Sequence, residues 1–392
     1  MPPVVLNLRE AEDQRDVVHR VVQTLAEGGV AALPTETVYG LAAGALNEAA
    51  VCRLLNMKRR TVSKPMALAI KSPEEAHDYV PDICPLARRL ARRCWPGPVT
   101  LVLDDSHPDS LVHRLPPKVR ELVSPQARVG LRVPGYPLVL EVLRLLPCPL
   151  VLTSANYSTQ AEPVSGRDVL AALGAEVDLV VDDGPCRFGQ PSSVVAVGPD
   201  GLRVLREGVV PEQTLRRLAS LMILFVCTGN TCRSPMAEAL CRNLFARRWN
   251  CPAEELEDRG VVVLSAGISA MLGGRASAEA VQCMAEQGLD INLHETQPLT
   301  EPLVRRADLI YTMTRLHRET IVAQWPSAAE RTRLLDVRGM DILDPIGGPV
   351  ERYRQCAQHI TSALEHRLEE IELEYHSACE PVGKRSGRNR QK

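Results

Sequence analysis

The sequence predicts an α/β protein of two units: a mixed, twisted α/β sheet domain, then a three-layer α/β/α domain on a four-stranded parallel sheet. Three observations carry this expectation. The chain has 392 residues, more than one ordinary hydrophobic core serves. Short apolar runs alternate with amphipathic stretches in both halves. The segment EGVVPEQTLRRLASL at 207–221 separates those halves and is the natural boundary. The expected division is 1–208, a linker at 209–221, a second domain at 222–375, and a disordered basic tail at 376–392.

In the first half, GVAALP, PMALAI, PVTLVL, RVGLRVP, CPLVLTS and VDLVVDD read as strands. AAVCRLLNMKR and PLARRLARRCW fall between them with helical apolar spacing. SSVVAVGPDGLRVLREG reads as a hairpin that turns between Gly198 and Gly201. In the second half, ILFVC, VVVLSAG, ADLIYTM and TRLLD are separated by helical segments, and an amphipathic helix from about 349 to 373 closes the unit. Such alternation implies parallel strands with right-handed crossovers, and ligands beyond the carboxyl ends of those strands.

Composition narrows the function classes. A net charge of -2 argues against an overall electrostatic affinity for nucleic acid, although a local basic groove remains compatible. No apolar run approaches bilayer length, and the first residues lack a signal-peptide layout. The twelve cysteines are scattered, with no CxxC pair, which fits reduced thiols in the cytoplasm. Lysine is scarce, so Lys58 and Lys64, close together in one segment, stand out as chemical choices.

CTGNTCRS at 227–234 follows an apolar strand and precedes a helix. The strand delivers Cys227 to its carboxyl end, and the backbone N–H groups of residues 228–233 can converge on one anion at the helix N-terminus. Gly229 is expected to permit the tight turn. Arg233 can clamp two phosphoryl oxygens, and the same positive field favours a Cys227 thiolate nucleophile. A zinc site is not supported, because Cys227 and Cys232 have no second ligand pair nearby in sequence. No metal-binding residues are expected.

Residues 222 to about 372 resemble the low-molecular-weight protein phosphatase family. The resemblance rests on this cradle, SAG at 265–267, GLDINLH ending at His294, and DILDPIGGP. It implies that Asp344 is the general acid and that Asn230, Ser265 and His294 hold the cradle in shape. Thr228, Gly229, Thr231, Cys232 and Ser234 complete it, and Cys232 is either a partner for a protective disulfide with Cys227 or a small buried residue. Asp308 and His317 are expected to be ordinary strand-end and helix residues. Thr231 and the ring-free run Ile346 to Gly348 are similar to the arginine-phosphatase branch, since no aromatic side chain is present there to stack on a phosphotyrosine.

Upstream, PTETVYGL, Lys58 with Arg60, KP, WPGPVTLVL, GLRVP, Ser154 with Asn156, PSSVV and VLREG occur in order. Together they resemble the YrdC-like threonylcarbamoyl-adenylate synthase family over residues 10 to about 208. What the resemblance implies is condensation of L-threonine, bicarbonate and ATP, with Mg2+ on the nucleotide, to threonylcarbamoyl-AMP and pyrophosphate for tRNA modification. By the same resemblance Thr37, Arg132, Ser154 and Ser192 would contact threonine, and Lys58, Arg60, Asn156 and Arg206 would line the ATP site. Thr35 and Tyr39 are further pocket candidates. Lys64, Ala69 and Ser193 depart from residues common in that family. The expectation is a bifunctional enzyme acting on small molecules and a phosphorylated protein, with tRNA or tRNA-modification proteins as compatible partners and no membrane. The alternatives are a tyrosine-specific second domain, or a first domain that binds RNA or nucleotide without catalysis.

Overall fold

The structure, a computed structural model, describes residues 2–59, 65–158, 160–198 and 201–376. Contacts divide it into two units, one running to Leu218 and the other from Ala219 to Ser377. Each is taken by itself.

The first unit is a mixed sheet of ten strands among the described residues. They are β1 (Val4–Asn7), β2 (Ala31–Leu33), β3 (Gly40–Gly44), β4 (Ala67–Ala69), β5 (Val99–Asp104), β6 (Arg128–Arg132), β7 (Leu150–Ser154), β8 (Leu179–Asp182), β9 (Ser193–Gly198) and β10 (Gly201–Arg206). Their order across the sheet is β1-β8-β2-β3-β7-β4-β6-β5-β9-β10. β9 and β10 form the expected hairpin, with Gly198 opposite Gly201. β3 escapes a reading by β-propensity. β3 is GLAAG, without a single β-branched residue, and pairs antiparallel to both β2 and β7 because it is buried throughout.

Period-two alternation divides the middle of this sheet into two unlike faces. Leu101, Leu103, Val129, Leu131, Val195 and Val197 are buried on one of them. Their neighbours Thr100, Val102, Gly130, Arg132, Val194 and Ala196, with Ala67 and Ala69, line a cavity of about 980 Å3. Small side chains at Ala67, Ala69, Gly130 and Ala196 form the floor of that cavity.

The second unit has the expected four parallel strands: β11 (Leu221–Cys227), β12 (Val261–Gly267), β13 (Leu309–Thr312) and β14 (Thr332–Leu334), in the order β12-β11-β13-β14. β11 is buried at every position. Leu221, Ile223, Phe225 and Cys227 enter one core with the helices Arg233–Trp249 and Val350–His376, whereas Met222, Leu224 and Val226 enter the core on the other face. Alternate residues therefore serve two layers, which produces the three-layer arrangement. The boundary segment is partly ordered, with a helix at Glu212–Ala219.

Candidate active sites

In the second unit, Cys227 ends β11 and is 3 % exposed. Its Sγ accepts the Asn230 N–H at 3.2 Å and lies 2.9 Å from Ser234 Oγ. Asn230, not Gly229, has the left-handed backbone, with φ of 56°. A Cβ at Gly229 would meet nothing closer than ordinary contact, so the turn is made by an asparagine, one of the residue types that tolerate this region.

Asn230 is the hub of the cradle. Its Nδ2 donates to Ser234 Oγ and Ser265 Oγ, both at 2.9 Å, and its Oδ1 accepts the Gln297 N–H at 2.9 Å. His294 Nε2 lies 2.9 Å from its carbonyl oxygen. Ser265 Oγ donates onward to Glu238 at 2.6 Å. Burial raises Glu238 above the usual carboxylate range, against the opposing pull of Ser265, His294 and Arg242. Cys232 is buried, with Ser277 Oγ at 3.4 Å and Tyr353 OH at 3.6 Å from its sulfur.

Arg233 opens the helix after the cradle and is 4 % exposed. Nη1 donates to the Ile342 carbonyl at 3.2 Å, and Nη2 to Asp344 at 2.5 Å and Thr228 Oγ1 at 3.4 Å. Its Nε has no hydrogen-bond partner. A buried guanidinium N–H left open is a ready donor for an oxyanion. Thr231 is half-buried, with Oγ1 3.4 Å from Cys232 Sγ. In the loop after Asp344, Ile346 is 63 % exposed.

Sequence reasoning passed over Glu238 and Gln297. Glu238 lies eleven residues beyond Cys227 on the helix after the cradle, a spacing that carries no signal without the fold. Asp308 behaves as a strand-end residue, accepting the Met222 N–H at 2.8 Å. His317, read as an ordinary helix residue, instead touches Thr228, with Nε2 2.9 Å from Oγ1.

In the first unit, Thr35 Oγ1 donates to the Val38 carbonyl at 2.6 Å. The Thr37 hydroxyl must therefore supply the proton of the 2.8 Å bond between the two threonines. Thr37 Oγ1 also accepts from Arg132 Nη2 at 3.0 Å, and the same nitrogen reaches Glu36 at 2.8 Å. Arg206 donates from Nε and Nη2 to the Ser192 carbonyl, and Ser192 Oγ lies 3.1 Å from Thr100 Oγ1. Thr35, Thr37, Tyr39, Arg132, Ser154, Ser192 and Arg206 all line the 980 Å3 cavity.

Lys58 and Asn156 stand apart from that lining. Lys58 is 2 % exposed and donates to the Ser154 carbonyl at 2.6 Å and to Asn156 Oδ1 at 2.7 Å. Ser154 Oγ donates to the same Asn156 oxygen at 2.7 Å. The pair thus braces Ser154 from behind. Arg60 and Lys64 lie outside the described residues, as does most of the segment expected to form a tail. Among the described residues no helix is long and apolar enough to cross a membrane.

Comparison with known proteins follows the same division. The Sua5/YciO/YrdC family model, described as telomere recombination, matches residues 23–208. The model described as low molecular weight phosphotyrosine protein phosphatase matches 222–377. A threonylcarbamoyl-AMP synthase of Mus musculus is 33 % identical over 222 residues, covering 54 % of this chain and 74 % of that protein. The protein-arginine-phosphatase of Bacillus subtilis is 37 % identical over 153 residues, 38 % of this chain and 95 % of its own length. The crystal structure of Pyrococcus abyssi Sua5 with L-threonine has a TM-score of 0.50 at 21 % identity and covers 68 % of this chain and 92 % of that one, a likeness of fold. The chain is an enzyme belonging to two families in succession, the Sua5/YrdC threonylcarbamoyl-AMP synthases and the low-molecular-weight protein phosphatases.

Proposed function

We propose that the first unit condenses L-threonine, bicarbonate and ATP to threonylcarbamoyl-AMP and pyrophosphate, and that the second hydrolyses phosphoarginine on proteins through a phosphocysteine. The first reaction needs a carbamate oxygen and an α-phosphate held in line, with phosphate charge neutralised. The cavity offers hydroxyls at Thr37, Ser154 and Ser192 and guanidinium groups at Arg132 and Arg206. Thr37, Arg132, Ser154 and Ser192 would take threonine, with Arg206 toward the nucleotide and magnesium arriving on it. Lys58 and Asn156 would act by holding Ser154, and Arg60 keeps the nucleotide role that the family resemblance implies. The product would serve tRNA modification in the cytoplasm.

In the second reaction the Cys227 thiolate attacks phosphorus, the P–N bond breaks, and Asp344 gives its proton to the leaving nitrogen. Water then attacks the phosphocysteine, Asp344 takes a proton back, and inorganic phosphate leaves with the thiolate restored. Asn230 N–H and Ser234 Oγ stand where they stabilise that thiolate. Cys232, buried beside Ser277 and Tyr353, is a small packing residue with a sulfur able to pair with Cys227 under oxidation.

The observation that carries the choice of phosphoarginine is a threonine, Thr231, in the cradle together with an Asp344 loop, Ile346 to Gly348, that contains no aromatic ring. The test compares kcat/KM for a phosphoarginine and a phosphotyrosine peptide, with Cys227→Ser as the blank. Preference for phosphoarginine is expected. Preference for phosphotyrosine would return the second unit to a tyrosine phosphatase.

A further inference from the structure

His317 sits in the first turn of the helix Arg315–Gln324, where Thr314 caps by accepting its N–H at 3.2 Å. The residue is 6 % exposed, too buried to meet substrate as a surface group. Nε2 lies 2.9 Å from Thr228 Oγ1, and that oxygen accepts Arg233 Nη2 from its other side at 3.4 Å. The same Arg233 nitrogen holds Asp344 at 2.5 Å. Four side chains thus form one chain from helix to general acid: His317, Thr228, Arg233, Asp344.

We propose that His317 is a positioning residue of the phosphatase site: accepting at Nε2, it orients the Thr228 hydroxyl, which anchors Arg233 when Asp344 withdraws to deliver its proton. The donor arithmetic allows this arrangement. Arg233 can only donate, so Thr228 accepts from it, and the Thr228 proton is available for His317. In this arrangement Nε2 is bare and the ring proton sits on Nδ1, which is buried with no hydrogen-bond partner. A charged ring would reverse the bond to Thr228 and stand against Arg233. Burial first, and Arg233 second, push His317 down to about 4, while Asp344 and Asp341 pull the other way. Arg315 and Arg318 of its own helix are directed elsewhere, to the carbonyls of Gly339 and Thr332.

A buried ring nitrogen without a partner is a cost that an apolar side chain at this position would not carry. When a phosphoryl group enters, Arg233 loses Asp344 as a partner, and Thr228 is then the side chain left to fix the guanidinium plane.

The inference rests on the phosphatase reading, and its test is separable from it. Nitrogen NMR of the wild-type chain near neutral pH reports the tautomer without any turnover. An Nδ1–H neutral ring is expected, and an Nε2–H tautomer or an imidazolium would overturn the proposal. For kinetics, His317→Ala and Thr228→Val are each expected to lower kcat on an aryl phosphate about tenfold or more, as small misplacements of catalytic groups do. The double variant should be no worse than either single one, because both break the same link. His317→Gln, whose amide oxygen accepts, should recover most of the loss. Additive losses, or an unaffected His317→Ala, would sink the idea. If the wild type turns over neither a phosphoarginine peptide nor an aryl phosphate, the proposed reaction fails, and the tautomer still decides this one.

Discussion

Asp344 occupies the Arg233 nitrogen that a phosphoryl group would claim. The carboxylate must be displaced before the arginine can clamp an anion, and it must be protonated before it can act as the acid. Substituting Asp344→Asn separates the two roles. Loss of the proton donor should lower kcat by about 10²-fold or more, within the usual range for general acids. Loss of its charge should let inorganic phosphate bind more tightly as a competitive inhibitor. Phosphate inhibition that weakens in this variant would show that the ion pair does not guard the anion site. At this scale the sequence was informative wherever chemistry demands one residue type. Arg233 and Asp344 meet, and Cys227 ends the strand just before the helix that Arg233 opens. Glu238 and His317 were illegible for the opposite reason, since many side chains could occupy those helix positions and only tertiary contact gives them work.

The elements around the cradle are fitted to it closely. Gly267 ends β12 where a Cβ would stand 2.5 Å from the Thr228 carbonyl oxygen and 2.8 Å from the Asn230 nitrogen. Gly267→Ala must therefore push the cradle strand away. We expect about 10²-fold lower kcat, with a stability loss of about 1–3 kcal/mol in urea titration. Unchanged kcat would mean that the cradle tolerates the shift. The loop carrying Asp344 leaves β14 through Asp336, a buried carboxylate that accepts His359 Nε2 at 2.7 Å and Arg338 Nη2 at 3.0 Å. Burial works against its charge, but the hydrogen bonds from Arg338 and His359 outweigh that and hold it well below the usual carboxylate range. A depressed carboxylate stabilises the fold above its unfolded value of about 3.9, and the contribution is lost as pH falls below that toward the folded value. Wild-type urea midpoints should fall more steeply with acid in that window than those of Asp336→Asn, and parallel curves would contradict the assignment. Strand positions were readable from apolar runs because burial on both faces of β11 leaves few polar choices. β3 was not, because small residues there serve the close packing of a sheet and carry no period.

Two separately cored units, divided near Ala219, make up the whole chain. If neither core depends on the other, segments 1–218 and 219–377 expressed apart should each keep kcat/KM within about twofold of the full chain. Loss of either activity on separation would show that the units need one another. The floor of Ala67, Ala69, Gly130 and Ala196 has a consequence for the first of them. Across β2, β3, β7 and β8 the same face packs its leucines against the helices Gln14–Ala26 and Pro137–Leu145, but around this floor its own side chains are small. A bound substrate would then bury surface that the sheet leaves thinly covered. Occupancy becomes a thermodynamic support, worth about 2.7 kcal/mol when a ligand is present at a hundred times its dissociation constant. Starvation for threonine or ATP would leave the unit closer to its melting point as well as idle.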